Sequence, residues 1–273
     1  MNSVTIDINI NSDEPVIFVP ISDVHVGHVD HDKKLFADTV KWIKDNNAYT
    51  ILLGDLIDGI SQKDRRYEND SIADEFKPHL DNLHYKQTEA FIKAIMPIKD
   101  NVIGILGGNH ELTVKKQFGF DAISVIAQRL EKPILTDPSY VIIRFKDGNA
   151  SRLFNIFCSH GNWMGGRKRG SKINAIEDKM TDFDFDVLLA GHTHDRFVST
   201  RKRISISKGG KIEKTKKTFI NTGSFTTTYT DSNIDTWASR SIFSPQSAGV
   251  VRMDFYLKRN SIGSRYIDLH TRM

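Results

Sequence analysis

Five short apolar runs in this chain each end in a cluster of acidic, imidazole or amide side chains, and this pairing constrains the fold more than any other feature. VIFVPI (16–21) runs into Asp23 and His25, and TILL (50–53) into Asp55 and Asp58. NVIGIL (101–106) leads to Asn109 and His110, LFNIFC (153–158) to His160, and DVLLA (186–190) to His192 and His194. Apolar runs of this length suit buried strands. Helical patterns lie between most of them. KKLFADTVKWIK sets Leu35, Phe36, Val40 and Ile43 on one face; PHLDNLHYKQTEAFIKAIM opens at Pro78, gathers Leu80, Leu83, Phe91 and Ile95 and stops before Pro97; DAISVIAQRLEK is bounded by Pro133. Strands alternating with helices predict an α/β fold. Loops leaving the carboxyl ends of its strands converge on one edge, so five clusters far apart in sequence meet in one pocket. Asp23 and His25, like His192 and His194, are two apart, which on an extended backbone directs both members of a pair to one side. Gly54, Gly108 and Gly191 allow sharp turns into the site.

Carboxylate, imidazole and amide oxygen are ligands for borderline divalent metals such as Mn, Fe, Zn, Co or Ni, and no thiolate is present to favour a structural zinc. Any one of these residues alone reads as a capping or hydrogen-bonding group. Together they exceed what one ion needs, whereas two ions sharing a bridging carboxylate would use them all, an arrangement suited to phosphoryl chemistry. Two carboxylates against two divalent ions leave a net positive site that attracts phosphate oxygens.

The ordered set DxH, GDxxD, GNHE, H and GHTH, spanning Asp23 to His194, resembles the calcineurin-like metallophosphoesterase family. The resemblance implies a two-sheet β-sandwich flanked by helices, with a dinuclear metal centre at the strand C-terminal ends. It implies one ion on Asp23, His25 and His194, the other on Asn109, His160 and His192, and Asp55 as the bridge. His110 becomes the non-ligating catalytic histidine and Asp58 its orienting partner. The expected cofactor is two divalent transition-metal ions, Mn favoured, and the expected reaction is phosphoester hydrolysis by a metal-bound hydroxide.

Departures from the family's patterns bear on substrate. Its serine/threonine phosphatases carry an arginine after the second motif and another before GNHE; here Gly59 and Ile60 follow Asp58, and Gly107 precedes Gly108. A protein phosphatase is disfavoured, and SDVHVGH more closely resembles phosphodiesterases and repair nucleases. Glu111 stands where those groups commonly have Asp. Between Ser199 and Lys217 eight basic residues (Arg201, Lys202, Arg203, Lys208, Lys211, Lys214, Lys216 and Lys217) face one acidic residue, Glu213. Alternation around Gly209 and Gly210 makes this a hairpin at about 196–220. With Arg167, Lys168, Arg169 and Lys172 it offers phosphate-backbone contacts, and Trp163 a stacking surface; the alternative is that the lysines solubilise an edge hairpin and Trp163 packs. Trp163, Arg167, Arg201 and Arg203 are the candidate substrate contacts. Asn221 and Ser224 are candidates to support the histidines from behind. Residues 231–247 read as a loop, a candidate lid.

The favoured reading is one domain over 1–273 acting as a phosphodiesterase or nuclease on nucleic acid or nucleotides. The alternatives are a phosphomonoesterase on a small metabolite or nucleotide, and a noncatalytic scaffold on the same fold. No apolar run approaches the roughly 20 residues of a membrane span, and MNSVTIDINI lacks signal-peptide character, so a cytoplasmic protein without a membrane partner is expected. Cys158, the one cysteine, sits in an apolar run and reads as a buried packing residue.

Overall fold

The computed structural model describes residues 1–11, 13–62, 64, 67–166, 168–206, 210, 212–227, 229, 248–261, 263 and 265–273. The candidate lid at 231–247, together with Arg167, Lys208 and Lys211, lies outside the described residues.

Alternation along the strands builds two sheets face to face. The first holds β1 (Asn2–Asn9), β5 (Ser139–Asp147), β6 (Ala150–Cys158), β7 (Val187–Ala190), β9 (Ile212–Thr222) and β8 (Arg196–Ile206), side by side in that order. The second begins with β11 (Arg265–Arg272), β10 (Arg252–Arg259) and β2 (Val16–Phe18). Backbone hydrogen bonds from Val19 N–H to Tyr49 O (2.8 Å) and Ile21 N–H to Ile51 O (3.0 Å) continue this layer into β3 (Thr50–Leu53) and β4 (Val102–Leu106). In β7, Val187 and Leu189 face the second sheet while Leu188 points outward; in β3, Ile51 and Leu53 face the first sheet while Leu52 meets the helices. That period of two is what a strand buried on both faces requires.

Helices α1 (Lys33–Asp45), α2 (Leu83–Ile95) and α4 (Ala122–Leu130) cover the second sheet with Phe36, Val40, Ile43, Phe91, Ile95 and Ile126. The Asp32 and Asp121 carboxylates cap α1 and α4 by accepting the amides of Leu35 and Ser124, a local reason for these starting points. On the outer face of the first sheet, α5 (Arg169–Asp182) lays Ile176 against Phe157, Leu188 and Phe219. The expected α/β sandwich is therefore present, with helices outside both sheets. Cys158 lies fully buried between the sheets, where desolvation pushes its thiol far above the ordinary range.

Two elements depart from the sequence reading, and the C-terminal hairpin adds to it. Pro78 does not open α2: it lies within a 3-10 stretch, Asp74–His79, and the α-helix starts only at Leu83 after Asn82. The C-terminal hairpin is part of the second sheet, because β10 pairs Met253, Asp254 and Phe255 with Phe18, Ile17 and Val16, giving short β2 a partner. Helix α3 (Asn109–Phe118) follows β4 where a loop was read; its few apolar residues make a weak periodic signal.

Phe255 ties the layers together, its ring centroid lying 5.2 Å from Phe18, 5.3 Å from Phe145 and 5.0 Å from Phe154. Phe255→Ala should lower unfolding stability by about 3–5 kcal/mol, measured by urea denaturation. A loss below about 1 kcal/mol would show that this aromatic cluster is not the junction of the two sheets.

Candidate metal centre

The ligands arrive from both sheets on chain that has just left a strand. β3 ends at Leu53 before Asp55, β4 at Leu106 before Asn109, β6 at Cys158 before His160, and β7 at Ala190 before His192. The extended backbone expected for the paired ligands is not what forms. Asp23, His25, Asp55, His192 and His194 have φ of 53°, 49°, 50°, 67° and 55°, making up five of the seven non-glycine residues with positive φ among the described residues. This left-handed region is unfavourable for L-residues by roughly 1–2 kcal/mol each, a strain that clusters at functional sites. It swings ligands inward from turns. Of the glycines, Gly54 is left-handed at φ +88°, whereas Gly108 serves by being small. A Cβ on Gly108 would lie 2.1 Å from Asp55 Oδ1.

Asp55 occupies the middle. Its Oδ1 accepts the amide of His110 at 3.0 Å. Its Oδ2 faces His160 Nε2 at 3.2 Å and the Nε2 atoms of His25 and His110 at 3.9 Å each. On one side Asp23 Oδ1 lies 3.4 Å from His194 Nε2, which faces His25 Nε2 at 3.1 Å. On the other, His160 Nε2 lies 3.0 Å from Asn109 Oδ1, with the His192 ring centroid 5.2 Å from that of His160. Three groups thus have potential ligand atoms within 4.8 Å of one another: Asp23, His25 and His194; His25, Asp55 and His110; and Asp55, His160 and His192. Asp55 and His25 each belong to two of them, and of the two only Asp55 is a carboxylate with two oxygens to offer.

The donor set fits cations on chemical grounds. Asp23 Oδ1 and His192 Nδ1 are buried without a hydrogen-bond partner among the described residues, an arrangement that is unfavourable unless a cation takes the lone pairs. The histidines are also aimed. His160 Nδ1–H donates to Leu53 O at 2.8 Å, and His194 Nδ1–H to Thr226 Oγ1 at 3.0 Å, leaving each Nε2 lone pair toward the centre. Such partners orient metal-binding imidazoles. Thr226 was not read from sequence; Ser224 acts through it, Oγ to Oγ1 at 3.2 Å, and Asn221 donates to Thr193 between the two histidines.

Glu111 was noted only as a departure from Asp. Its buried carboxylate accepts the amides of Asp55 (3.1 Å), Leu56 (2.6 Å), Ile57 (3.1 Å) and Gly108 (2.8 Å), tying the loops after β3 and β4 together. Burial, and then the Asp55 charge, raise its pKa. Asp58 also differs in detail: His110 Nδ1 is hydrogen-bonded to its backbone carbonyl, while its carboxylate oxygen Oδ1 lies 3.9 Å from that nitrogen and 3.8 Å from His25 Nδ1.

The candidate substrate contacts separate. Trp163 lies beside the centre, its indole N–H donating to Ser159 Oγ at 2.9 Å. Arg201 and Arg203 are not brought there. β7 runs toward His192, β9 is parallel to it and β8 antiparallel, so β8 leaves the ligand edge. At about 3.4 Å per residue Arg201 is roughly 17 Å down the strand from Arg196, and Arg203 farther still. Arg201 pairs with Glu177, and Arg203 lies 3.8 Å from Asp184.

Imidazole and carboxylate side chains that could hold metal ions converge where chain leaves the strands of two packed sheets, the arrangement a metallophosphoesterase requires. The model of the calcineurin-like phosphoesterase family matches residues 18–196, and the chain belongs to that family. No curated protein matches it. Among solved structures, vacuolar protein sorting 29 from Cryptosporidium parvum is 14% identical over 95% of this chain and 99% of that one, with a TM-score of 0.36. A metallophosphoesterase from Sphaerobacter thermophilus is 14% identical over 94% of this chain and 87% of that one, also at 0.36. No helix among the described residues is long and apolar enough to cross a membrane.

Two predictions follow from the charges. Burial opposes a charged His160, yet the Asp55 carboxylate outweighs it and lifts the pKa to about 10, whereas burial lowers His25 to about 4. In metal-free protein at pH 7 His160 is therefore the doubly protonated imidazolium and His25 the neutral imidazole. Because a ligating imidazole must be neutral, metal binding should release about one proton from His160, and affinity should rise with pH between 7 and 9. Calorimetry in buffers of different ionisation enthalpy measures this release; none at pH 7 would contradict the assignment of His160. Glu111→Gln replaces an acceptor-only group with one that presents N–H to amide donors. It should lower stability by about 1–3 kcal/mol and weaken metal affinity; unchanged denaturation and metal titration would remove Glu111 from the support of Asp55.

Proposed function

We propose that this phosphoesterase is a dinuclear phosphodiesterase acting on nucleotides or nucleic acid, with Asp23, His25 and His194 holding one ion, Asn109, His160 and His192 the other, and Asp55 between them. The convergence of these side chains, Asn109 joining through His160, with buried atoms left for cations, carries the proposal. Two divalent ions, Mn favoured, would supply Lewis acidity toward phosphoryl oxygens and a water acidic enough to attack at neutral pH.

The remaining work falls to the chain. His110 Nδ1–H is committed to the Asp58 carbonyl, so Nε2, 3.9 Å from Asp55 Oδ2, is the nitrogen that carries a proton to the leaving oxygen. His110 is the general acid and Asp58 its positioning residue. Burial raises the Asp58 pKa, but His25, His28 and His110 outweigh it and keep the group ionised. Charge also favours a diester. Gly59 and Gly107 occupy the places where the family's protein phosphatases carry arginines, so the dianion of a monoester lacks those guanidiniums, while a diester monoanion needs less positive charge. Because Arg201 and Arg203 lead away from the ligand edge, the diester reading rests on the centre and not on the basic hairpin.

The test is a panel with Mn²⁺: bis(p-nitrophenyl) phosphate, p-nitrophenyl phosphate, cyclic nucleotides, and single- and double-stranded DNA and RNA. Diesters should be cleaved faster than the monoester, and chelation should abolish turnover. His110→Ala should keep its metal while kcat falls about 10²- to 10⁴-fold, with a smaller loss for nitrophenolate leaving groups, which need no proton. Activity in metal-free protein would overturn the mechanism, and a monoester preference would replace it with the phosphomonoesterase reading.

A further inference from the structure

A cavity of about 640 Å³ opens beside the ligand edge, and two candidate ligands, Asn109 and His160, form part of its wall. Inorganic phosphate at the centre has no use for such a space, whose size falls in the range of sites for organic ligands, about 300–1,000 Å³. Away from the ligands the lining becomes apolar: Leu112, Ile134, Phe157, Trp163 and Phe183. Leu112 follows Asn109 at i+3 on α3, so one helix face passes from candidate ligand to apolar wall. Leu112 is 47% and Ile134 45% exposed, although each is large enough to favour burial.

Trp163 is held in advance. Its N–H donates to Ser159 Oγ at 2.9 Å, and Ser159 in turn donates to Asp137 Oδ1 at 2.6 Å. A ring fixed before binding loses little conformational entropy on contact. The charges also differ around the rim. Lys115 is paired with Asp121 at 2.6 Å, whereas Lys179 has no carboxylate within salt-bridge distance among the described residues and lies with Nζ 5.9 Å from the Trp163 ring centroid. Aromatic walls, the Lys179 ammonium and the polar edges of Asn162 and Ser124 suit a flat heterocycle with ring-nitrogen acceptors better than an alkyl chain.

We propose that this cavity is the subsite for the nucleoside attached to the scissile phosphate, the base resting among Leu112, Ile134 and Trp163 with Lys179 at its electronegative edge. The inference rests on the phosphodiesterase reading for its substrate, but not for the cavity's affinity for a base.

Three inhibitors sharing a phosphate separate the possibilities in Mn²⁺-supported hydrolysis of bis(p-nitrophenyl) phosphate: adenosine 5′-monophosphate, ribose 5-phosphate and octyl phosphate. The nucleotide should bind at least tenfold more tightly than ribose 5-phosphate. In Leu112→Glu, a substitution at an exposed position, that ratio should fall below threefold, with the far-ultraviolet circular dichroism of wild type confirming the fold. Equal binding of nucleotide and sugar phosphate, a ratio unchanged in Leu112→Glu, or tighter binding of octyl phosphate would each overturn the subsite. A second readout needs no turnover: adenosine should quench tryptophan fluorescence in chelator-treated protein, and Trp163→Phe should remove the quench. Quenching without hydrolysis of any ester would sink the phosphodiesterase reading and keep the cavity, while hydrolysis with neither quenching nor a base-dependent ratio would do the reverse.

Discussion

The Asp55 carboxylate, buried and surrounded by imidazoles, is the constraint on which the rest of the site depends. Asp23, Asp55, Asp58 and Glu111 are all at most 3% exposed, and burying carboxylates is strongly unfavourable unless each is compensated. Glu111 is compensated by four backbone amides. Asp55 has one amide and a ring of histidines, of which His160 takes up a proton where a cation belongs. In metal-free protein that exchange is visible as the raised pKa of His160.

The fold supplies the stiffness this arrangement requires. Five candidate ligands sit in left-handed backbone, and such conformations persist only when the surroundings over-determine them. Two packed sheets do so. The loops leaving β3 and β4 approach so closely that a Cβ on Gly54 would lie 2.4 Å from Gly108 N. The first loop is clasped by the return segment as well: Phe225 N–H donates to Asp23 O at 3.0 Å, and Asp32 N–H to Phe225 O at 2.7 Å. The Thr226 side chain aims His194 from the same segment, so orientation of the imidazole and closure of the sandwich share one stretch of chain.

Charge in sequence proved a poor guide to location. The hairpin that looks like a clamp beside the metals starts at their edge but runs down the far strand of the first sheet, with Arg201 and Arg203 engaged by acidic groups of α5 and the β7 approach. Strand direction decides this, and direction is a property of pairing. The apolar cavity beside Asn109 and His160 gave no such signal, because its walls come from α3, the segment around Ile134 and the chain on either side of α5.

What the sequence determined by itself was whatever is encoded locally: apolar runs of strand length, the face of α1, and the types and order of the candidate ligands from Asp23 to His194. Those features survive because a strand's period of two and a ligand's chemistry are carried by the residues themselves. Tertiary structure decided the rest. It turned the paired ligands into left-handed turns, made Glu111 a clamp and Thr226 an imidazole partner, routed the hydrogen bond of His110 to the Asp58 carbonyl, drew the C-terminal hairpin into the second sheet and sent the basic hairpin away from the centre. Each of these depends on contacts between residues distant in sequence, such as Glu111 with Asp55 or Thr226 with His194, and no local pattern specifies the register that brings such partners together.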